Sequence, residues 1–522
     1  MPLIPVRTAG KIGLNKDLSE HELPLEAWTD ALNIRFLDGL AHQTAGHSEY
    51  YTSPAVVPHH LLALSVGTTP YWLYASKEKI YAVTLTAGSS VHTNLTRQPA
   101  GVDVDYAATD NSWTSTLLSG IPILNPGNVT DPPQQWDLNI ANNFTSLSNW
   151  PASTYAKSLR AFGNFLVAMN IKEGANSYPF MVWWSNPADP GAVPTSWDYN
   201  DPTVEVGRYD LGDGYGQIVD GLQLRDFFMI YREQSIHKME LVGGSGVFRF
   251  SKVLGDSGAM NRNCIVEVLG QHVVFTSSDI IAHDGYNFES ILDKQFRRWL
   301  FLNIDSSNNH KCFVFKNTFF NEVYMCYPSV GATYCDKAVV WNYVDKTVTI
   351  RDLPNVLHAT NGQIDSVLNA TWGSDDDPWG SDDTLWGGPD TVPWTSRVQM
   401  GTSASKIYML DAAQSFAGSI PTVLLERRGL SFGSTETIKF VKSIQPVIKG
   451  QVGSVIDISV GSQDSIDGEP VWSTKQFTIG TSVKAFFRVS GRYIAIKFEN
   501  NTSYKFRLDS YQIDLEVVGE WH

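Results

Sequence analysis

Short runs of β-branched and aromatic residues, separated by polar turns, dominate this chain, and helical spacing of apolar residues is rare. Two such runs on either side of a short polar turn are typical of an antiparallel β-hairpin. The predicted hairpins occupy residues 73–83, 113–124, 159–171, 222–241, 266–282 and 312–327. The pattern therefore predicts a mainly β protein.

These hairpins recur at a coarse period. From Gly67 to Asn317 their turn residues stand about fifty residues apart, close to the period of one four-stranded propeller blade. We predict a β-propeller of about six blades over residues 56–351. The repeats share no fixed motif such as a Trp-Asp dipeptide, so a pair of β-sandwiches stays open as the alternative.

Two segments have apolar side chains at helical spacing. Trp28, Leu32 and Phe36 stand at positions i, i+4 and i+8 of residues 26–37, and residues 289–302 show a similar stripe. Such stripes are typical of amphipathic helices. We predict two helices that serve as packing elements.

A compositional break follows Arg351. Residues 352–396 contain eight Asp and no Lys or Arg, and we call this segment the acidic strip. Its tryptophans recur every seven or eight residues, at Trp372, Trp379, Trp386 and Trp394. Because a Gly- and Pro-rich connection has little else to bury, we predict that these four tryptophans are structural anchors of the strip.

The acidic strip also contains candidate metal ligands. Clustered carboxylates are the ligands that Ca²⁺ prefers, and the candidates are Asp375, Asp377, Asp382 and Asp383. Their spacing fits no EF-hand loop, and the neighbouring tryptophan rings offer sugar stacking as a further alternative. The favoured prediction has no metal and no cofactor, with the aspartates facing water between anchored tryptophans.

The last quarter of the chain reads as a second β unit. Residues 397–522 hold 14 basic and 12 acidic residues. New strands are predicted at 438–448, 455–460, 483–489, 493–498 and 511–518. We predict a β-sandwich-like platform domain over 397–522, which residues 1–55 join, with the acidic strip as its connection to the propeller.

Overall charge bears on nucleic-acid binding. The chain has 522 residues and a formal net charge of −15, with 43% hydrophobic and 18% charged residues. A protein that holds DNA by neutralising phosphates carries an excess of Lys and Arg. The composition therefore predicts a globular protein that does not grip nucleic acid. No apolar run approaches the roughly 18 residues of a membrane-spanning helix.

The familiar sequence signatures of catalysis are absent from the chain. There is no P-loop, HExxH or GxSxG motif, and the glycine clusters near Gly212 and Gly243 read as turns. Adjacent His59 and His60 point to opposite faces if they lie on a strand, so they do not form a metal pair. The sequence 283–285 reads as a hairpin turn. We predict no catalytic residue and no enzymatic activity.

The cysteines suggest neither a disulfide framework nor a zinc site. They are Cys264, Cys312, Cys326 and Cys335. None forms a CxxC pair, so reduced, half-buried thiols are expected.

Several motifs together resemble tail proteins of short-tailed bacteriophages. They are LPLEAWTDALNIRFLDGLA at 23–41, WWSNPADP at 183–190 followed by Trp197-Asp198, the stretch 221–285, ERRGL at 426–430, VGSQD at 460–464 and GRYIA at 491–495. These pieces keep their order over nearly the whole chain. The class they resemble is the tail nozzle, also called tail tubular protein B.

This resemblance implies a structural virion protein without catalytic residues. Tail nozzles form a ring, usually a hexamer, beneath the adaptor, and they combine a propeller with a platform and a nozzle tip. The implied partners are further copies of the chain, the adaptor, tail fibres or spikes, and genomic DNA that passes through the lumen without tight binding. The implied location is the tail of the virion, assembled in the host cytoplasm. Residues 98–156 and the acidic strip are the two candidates for the tip.

An acidic conduit is physically reasonable, because a wall that neutralised phosphates would bind DNA by counterion release and stall its ejection. The runner-up function is a propeller glycosidase or lectin acting on host surface glycan, which the Trp and Asp content favours.

Overall fold

The computed structural model describes most of the chain. The described residues are 3–67, 69–86, 88–212, 214, 216–243, 246–292, 295–364, 396–502 and 504–520. Within these ranges, none of the helices has the length and apolar character needed to cross a bilayer.

The N-terminal region contributes short strands. They are β1 (Ile4–Val6), β2 (Gly13–Leu14), β3 (Ala27–Trp28), β4 (Asp30–Leu32), β5 (Ile34–Leu37), β6 (Leu40–Gln43) and β7 (Gly46–Tyr51), with a 3-10 turn at Glu20–Glu22. The helix predicted over 26–37 is therefore wrong. Asn33 and Asp38 have φ of 56° and 53°, a left-handed conformation that interrupts any helix and divides this segment into strands.

Five consecutive stretches then fold into four-stranded antiparallel sheets. Sheet 1 contains β8 (His60–Val66), β9 (Thr69–Ala75), β10 (Ile80–Thr86) and β11 (Ser89–Asn94). Sheet 2 contains β12 (Thr114–Leu118), β13 (Ile121–Asn125), β14 (Gln134–Gln135) and β15 (Thr145–Ser146). Sheet 3 contains β16 (Thr154–Phe162), β17 (Phe165–Glu173), β18 (Asn176–Trp184) and β19 (Gly207–Asp210). Sheet 4 contains β20 (Ile218–Leu224), β21 (Phe227–Arg232), β22 (Ser235–Leu241) and β23 (Phe248–Gly255). Sheet 5 contains β24 (Ile265–Val268), β25 (Gln271–Phe275), β26 (Ile280–His283) and β27 (Phe288–Ser290).

A short helix follows sheet 5. It is α1 (Arg297–Asn303), and a 3-10 turn lies at Asn309–Lys311. The helix predicted over 289–302 is therefore confirmed only in its second half. The first residues of that range belong to β27. Leu300 is the buried residue of α1.

Two further sheets share one long strand. Sheet 6 contains β28 (Phe313–Asn317), β29 (Glu322–Tyr327), β30 (Cys335–Asn342) and the first half of β31 (Val348–Gln363). Sheet 7 contains the second half of β31, then β32 (Ser396–Thr402), β33 (Ile407–Ala413) and β7. The change of partner occurs at Val356, which pairs with Cys335 on β30 and with Thr402 on β32.

The first strands of neighbouring sheets run parallel to each other around one axis. Between sheets 2 and 3, Thr114 and Thr116 accept hydrogen bonds from the backbone N–H groups of Leu159 and Ala161. Between sheets 7 and 1, the N–H of Leu61 donates to Nδ1 of His358. The last sheet therefore meets the first, and the ring is closed.

The structure confirms the predicted mainly β propeller and adds one blade to the count of about six. In the described part of the chain the seven sheets form seven blades. The additional blade is the one completed by β7, which pairs with β33 and so joins the N-terminal region to the end of the propeller. Such pairing of distant strands removes an open seam from the ring.

The remaining strands form the platform. They are β34 (Val423–Leu430), β35 (Thr437–Gly450), β36 (Val455–Gln463), β37 (Val471–Thr478), β38 (Ala485–Gly491), β39 (Tyr493–Asn500) and β40 (Phe506–Glu520). One sheet has the order β38-β35-β40-β6-β5, with β1 also paired to β40, and the other has the order β4-β34-β39-β36-β37. The N-terminal strands are thus built into both sheets of the platform.

The platform core lies between these two sheets. Trp28 is 1% exposed, and its ring contacts Phe498 of β39 and Tyr511 of β40, with both centroid distances 6.1 Å. Its indole N–H donates to the carbonyl oxygen of Ala9. A single buried tryptophan from the N-terminal region therefore packs against both sheets of the sandwich-like platform.

A buried ionic network joins the platform to the propeller. Arg35 of β5 binds Glu322 of β29 through two hydrogen bonds of 2.5 and 2.9 Å. Asp411 of β33 accepts from Nη2 of Arg35 and from Nη1 of Arg351, each at 2.9 Å. The four side chains are 0–9% exposed. We call these residues the four-charge cluster.

Candidate functional site

The propeller axis contains a cavity to which all seven blades contribute. Its volume is about 220 Å³. One polar residue comes from or lies beside the innermost strand of each blade: His60, Ser115, Arg160, Asp220, Asn263, Lys316 and His358. We call this space the axial cavity. All seven blades contribute to the lining because every innermost strand turns one face toward the axis.

An ion pair lies at the centre of its wall. Arg160 donates from Nε and Nη2 to the two carboxylate oxygens of Asp220, at 3.0 and 2.6 Å. Asp220 also accepts from Ser158 Oγ at 2.5 Å and from the backbone N–H groups of Gly221 and Asn263. Burial acts to raise the pKa of Asp220, but Arg160 and these donors outweigh burial and lower the pKa below its usual value. With five donors on two oxygens, the carboxylate is saturated.

Two histidine rings contact each other beside this ion pair, at an interplanar angle of 41°. The rings of His60 and His358 have centroids 4.2 Å apart, and His60 Nε2 lies 2.8 Å from Ser115 Oγ. Since the N–H of Leu61 donates to Nδ1 of His358, the proton of the neutral His358 ring is on Nε2. Burial and then Arg160 hold the pKa of His358 at about 3, so His358 is neutral at pH 7.

One end of the axial cavity is closed by side chains that cross between blades. Arg262 Nη1 donates to the carbonyl oxygens of Ser112 and Lys157, at 2.6 and 3.0 Å. Asn111 Nδ2 donates to the carbonyl oxygens of Arg262 and Cys312. These bonds tie blades 2 and 3 to the start of blades 5 and 6. The open end is the opposite one, where the innermost strands finish.

Residues 352–363 of the acidic strip belong to β31 and Ser396 begins β32, so both described parts of the strip are strands of the propeller, and they meet at this open face. Gln363 at the end of β31 pairs with Ser396 at the start of β32. Trp72 Nε1 donates to the carbonyl oxygen of Gln363, and Ser65 Oγ donates to its side-chain oxygen, both at 2.9 Å. The predicted anchors Trp372, Trp379, Trp386 and Trp394, and the Ca²⁺ candidates Asp375, Asp377, Asp382 and Asp383, lie outside the described residues.

The structure also describes two other motifs that the sequence singled out. His60 faces the axis, whereas His59 Nε2 lies 3.8 Å from Asp110 on the other side of the strand. Asp284 accepts from the backbone N–H groups of Tyr286 and Asn287 and so forms a turn. Over the ranges that the structure describes, no group of three or more His, Cys, Asp or Glu has metal-binding geometry.

Sequence reasoning missed the charged residues of the axial cavity. Arg160 and Asp220 each stand in a β run that also has buried apolar residues, in TYAKSLRAF and IVDGLQL. A charge in the middle of a buried strand is costly unless it is paired. Two such charges of opposite sign, on the first strands of two successive sheets, were the available signal.

The chain resembles solved structures only distantly. No protein-family model and no curated protein matches it. An exo-β-1,3-galactanase from Phanerochaete chrysosporium has 9% identity and a TM-score of 0.28, with 91% of this chain and 100% of that chain covered. AztD from Citrobacter koseri has 10% identity and a TM-score of 0.30, with 57% and 89% covered. The apocarotenoid oxygenase of Synechocystis has 10% identity and a TM-score of 0.30, with 55% and 74% covered. Similarity at this level carries no argument about function.

Proposed function

We propose that this protein is a structural component of a short-tailed bacteriophage, the ring-forming tail nozzle that continues the DNA channel below the adaptor. The observation that supports the proposal most is the way the chain ties its two halves together. β7 closes the propeller, β1, β4, β5 and β6 belong to the platform, and the four-charge cluster lies between them. A subunit whose propeller and platform are joined in this way suits the wall of a channel that must withstand the pressure of the packaged genome.

The conduit in this proposal is the space between copies of the chain. The axial cavity of one propeller has about 220 Å³ and is crossed at one end by Arg262 and Asn111. That volume is far too small for a DNA duplex, whose major groove alone is about 12 Å wide. DNA therefore passes through a lumen that several subunits surround, as in a hexameric ring.

Charge supports the same role. The chain carries −15, and a lumen lined by such subunits repels phosphate rather than releasing counterions to it. In this proposal the packaged genome is retained until infection and then slides through without tight binding. The protein is located in the virion tail after assembly in the host cytoplasm, with tail fibres or spikes as neighbours.

The end of the platform offers a surface for the adaptor. Val452, Val483 and Phe486 are 76%, 67% and 70% exposed, and Val452 contacts the turn at Gly480 that leads to β38. Single exposed apolar side chains are common on protein surfaces, whereas several that lie near one another are typical of an interaction site. We assign this surface to the contact with the adaptor.

Genetic removal of the protein tests the proposal. Particles assembled without it are expected to lose their DNA or to fail in ejection, and wild-type protein supplied in trans is expected to restore both. If particles lacking the protein retain DNA, attach and eject normally, the nozzle proposal is wrong.

A pair of variants tests the platform surface separately. Phe486→Asp is expected to prevent docking on adaptor-bearing particles. Val330→Asp is the matched control, because Val330 is 68% exposed on blade 6, away from the platform. Equal docking by both variants would contradict the assignment of this surface.

A further inference from the structure

We propose that the axial cavity binds a small oxyanion, a sulfate-like or carboxylate group, between Arg160 and His358. This inference is independent of the proposed function, since it rests on the hydrogen-bonding groups that the innermost strands present to the cavity. The ligand class follows from which of these groups are already used within the protein and which are not.

The acceptors of the cavity wall are occupied. The carboxylate of Asp220 receives five donors, and Nδ1 of His358 receives the N–H of Leu61 at 3.2 Å. A ligand that donates hydrogen bonds therefore finds neither of these acceptors available. Asp220, the one carboxylate in the described lining, therefore has no lone pair available to bind a cation.

Two donors are left over. Arg160 uses four of its five N–H groups, on Asp220, Asn263 Oδ1 and the carbonyl oxygen of Ser115, so one N–H of Nη1 remains. His358 carries its proton on Nε2, and no described residue accepts from that atom. An oxyanion matches two N–H donors that line one cavity, because charge-assisted hydrogen bonds are the strong ones.

The local charge has the right sign for an anion. The groups that face His358 are His60 from β8 and Arg160 from β16, with Asp220 bound to Arg160. Arg160 lowers the pKa values of both histidines, in addition to the effect of burial. The positive side of the ion pair is therefore directed toward the histidines, whereas the charge of Lys316 from β28 is balanced by Glu267, whose carboxylate lies 3.6 Å from Nζ.

The dimensions fit a small ligand. Lys316 Nζ stands at the open end, where it donates to the carbonyl oxygen of Glu267 at 3.0 Å, and Leu62, Leu222 and Val266 line the passage. The cavity volume of about 220 Å³ is large enough for a sulfate or a short carboxylate. The passage admits small molecules and excludes polymers.

Calorimetric titration of the purified chain tests the proposal. The probes are sulfate, acetate and, as an uncharged analogue of the same shape, dimethyl sulfone. Sulfate and acetate are expected to bind at one site, and dimethyl sulfone is expected not to bind. Absence of saturable binding for both anions would overturn the proposal.

Two variants locate the site. His358→Phe removes the Nε2 donor while keeping a ring against His60, and it is expected to weaken sulfate binding about tenfold or more, as loss of a charge-assisted hydrogen bond does. Thr360→Phe fills the cavity and leaves the donors in place, and it is expected to abolish binding. The matched control is His47→Phe, since His47 is 2% exposed in blade 7 and packs on Tyr408 and Phe416 outside the cavity.

The unaltered protein supplies a measurement that does not depend on any variant folding. An anion beside His358 stabilises its protonated form, but the pKa of the ring in the free protein is about 3, so sulfate affinity is expected to be level near pH 7 and to rise as the pH falls from about 5.5 toward about 4. Sulfate itself does not change charge over that interval. Binding that is insensitive to pH, or equal in Thr360→Phe and the wild type, would place the anion elsewhere and refute the inference.

Discussion

Replacing Asp411 by Asn is the sharpest test of how the propeller and platform are joined. Asp411 accepts from Arg35, Arg351 and Asn317 at 2.9, 2.9 and 3.1 Å. Its φ is 61°, a left-handed conformation that Asn tolerates nearly as well as Asp. The substitution therefore removes a charge without straining the backbone.

The expected loss of stability is large for a single residue. Without the carboxylate of Asp411, Glu322 is the one carboxylate of the four-charge cluster left to compensate the charges of the two buried guanidinium groups of Arg35 and Arg351. Breaking one partner from a buried ionic group costs about 3 to 5 kcal/mol. For 522 residues at about 2.1 cal/mol/K per residue of unfolding entropy, each kcal/mol lowers the melting temperature by about 1 °C. We expect Asp411→Asn to melt about 3 to 5 °C below the wild type.

The sign of the pH dependence gives a second readout. Burial acts to raise the pKa of Asp411, but Arg35 and Arg351 outweigh it, so the pKa in the folded protein is lowered. The stabilisation is therefore present above the unfolded pKa of about 3.9 and is lost as the pH falls through the folded pKa. The melting gap between wild type and variant is expected to narrow in acid.

Differential scanning calorimetry measures both quantities, and hydrogen exchange of residues 407–413 localises the effect to β33. Glu516→Gln is the control, because Glu516 pairs with Lys442 at 2.6 Å on the platform surface and such exposed pairs contribute about 0 to 1 kcal/mol. If Asp411→Asn melts together with this control, the four-charge cluster does not hold the two halves of the molecule together.

Three other measurements follow from the structure. The pKa values of the buried His47, His272 and His358 are lowered to about 4, 4 and 3. The free energy of unfolding should therefore fall as the pH drops below the unfolded pKa of about 6.5, by about 1.4 kcal/mol per pH unit for each histidine. A melting temperature that is constant between about pH 7 and about pH 5 would contradict this. Duplex DNA should bind only weakly at about 0.15 M salt because the chain is acidic, and submicromolar affinity by fluorescence anisotropy would refute the argument about the lumen. Trp379→Ala should raise hydrogen exchange across residues 373–393 if that tryptophan is an anchor; unchanged exchange together with loss of Ca²⁺ or sugar binding would favour the ligand alternative.

The local pattern of the sequence determined the hairpins. The turn at 119–120 between β12 and β13, and the turn at 163–164 between β16 and β17, lie where apolar runs change direction. Residues in such a turn are near neighbours in the chain, so their conformation depends on side chains within a few positions. The same applies to the long strands of the platform, such as Thr437–Gly450.

The spacing of Trp28, Leu32 and Phe36 shows where local pattern fails. A helix places these three side chains on one face, but here they belong to three short strands. Trp28 is buried against the platform core, and Phe36 is 2% exposed on the platform sheet. The four-residue spacing arose because these short strands pack against both sheets of the platform. A sequence window of ten residues cannot reveal this, because the packing partners lie far away in the chain.

The seventh blade and the axial cavity were decided by tertiary structure alone. Blade 7 assembles β7 with strands that begin about 300 to 360 residues later, and its pairing depends on the closure of the ring. Arg160, Asp220 and His358 are separated by tens to more than one hundred residues and meet only because each lies on an innermost strand. Hydrogen bonding within a hairpin is encoded locally, whereas the partners of a buried charge are chosen by the geometry that brings distant strands to one axis.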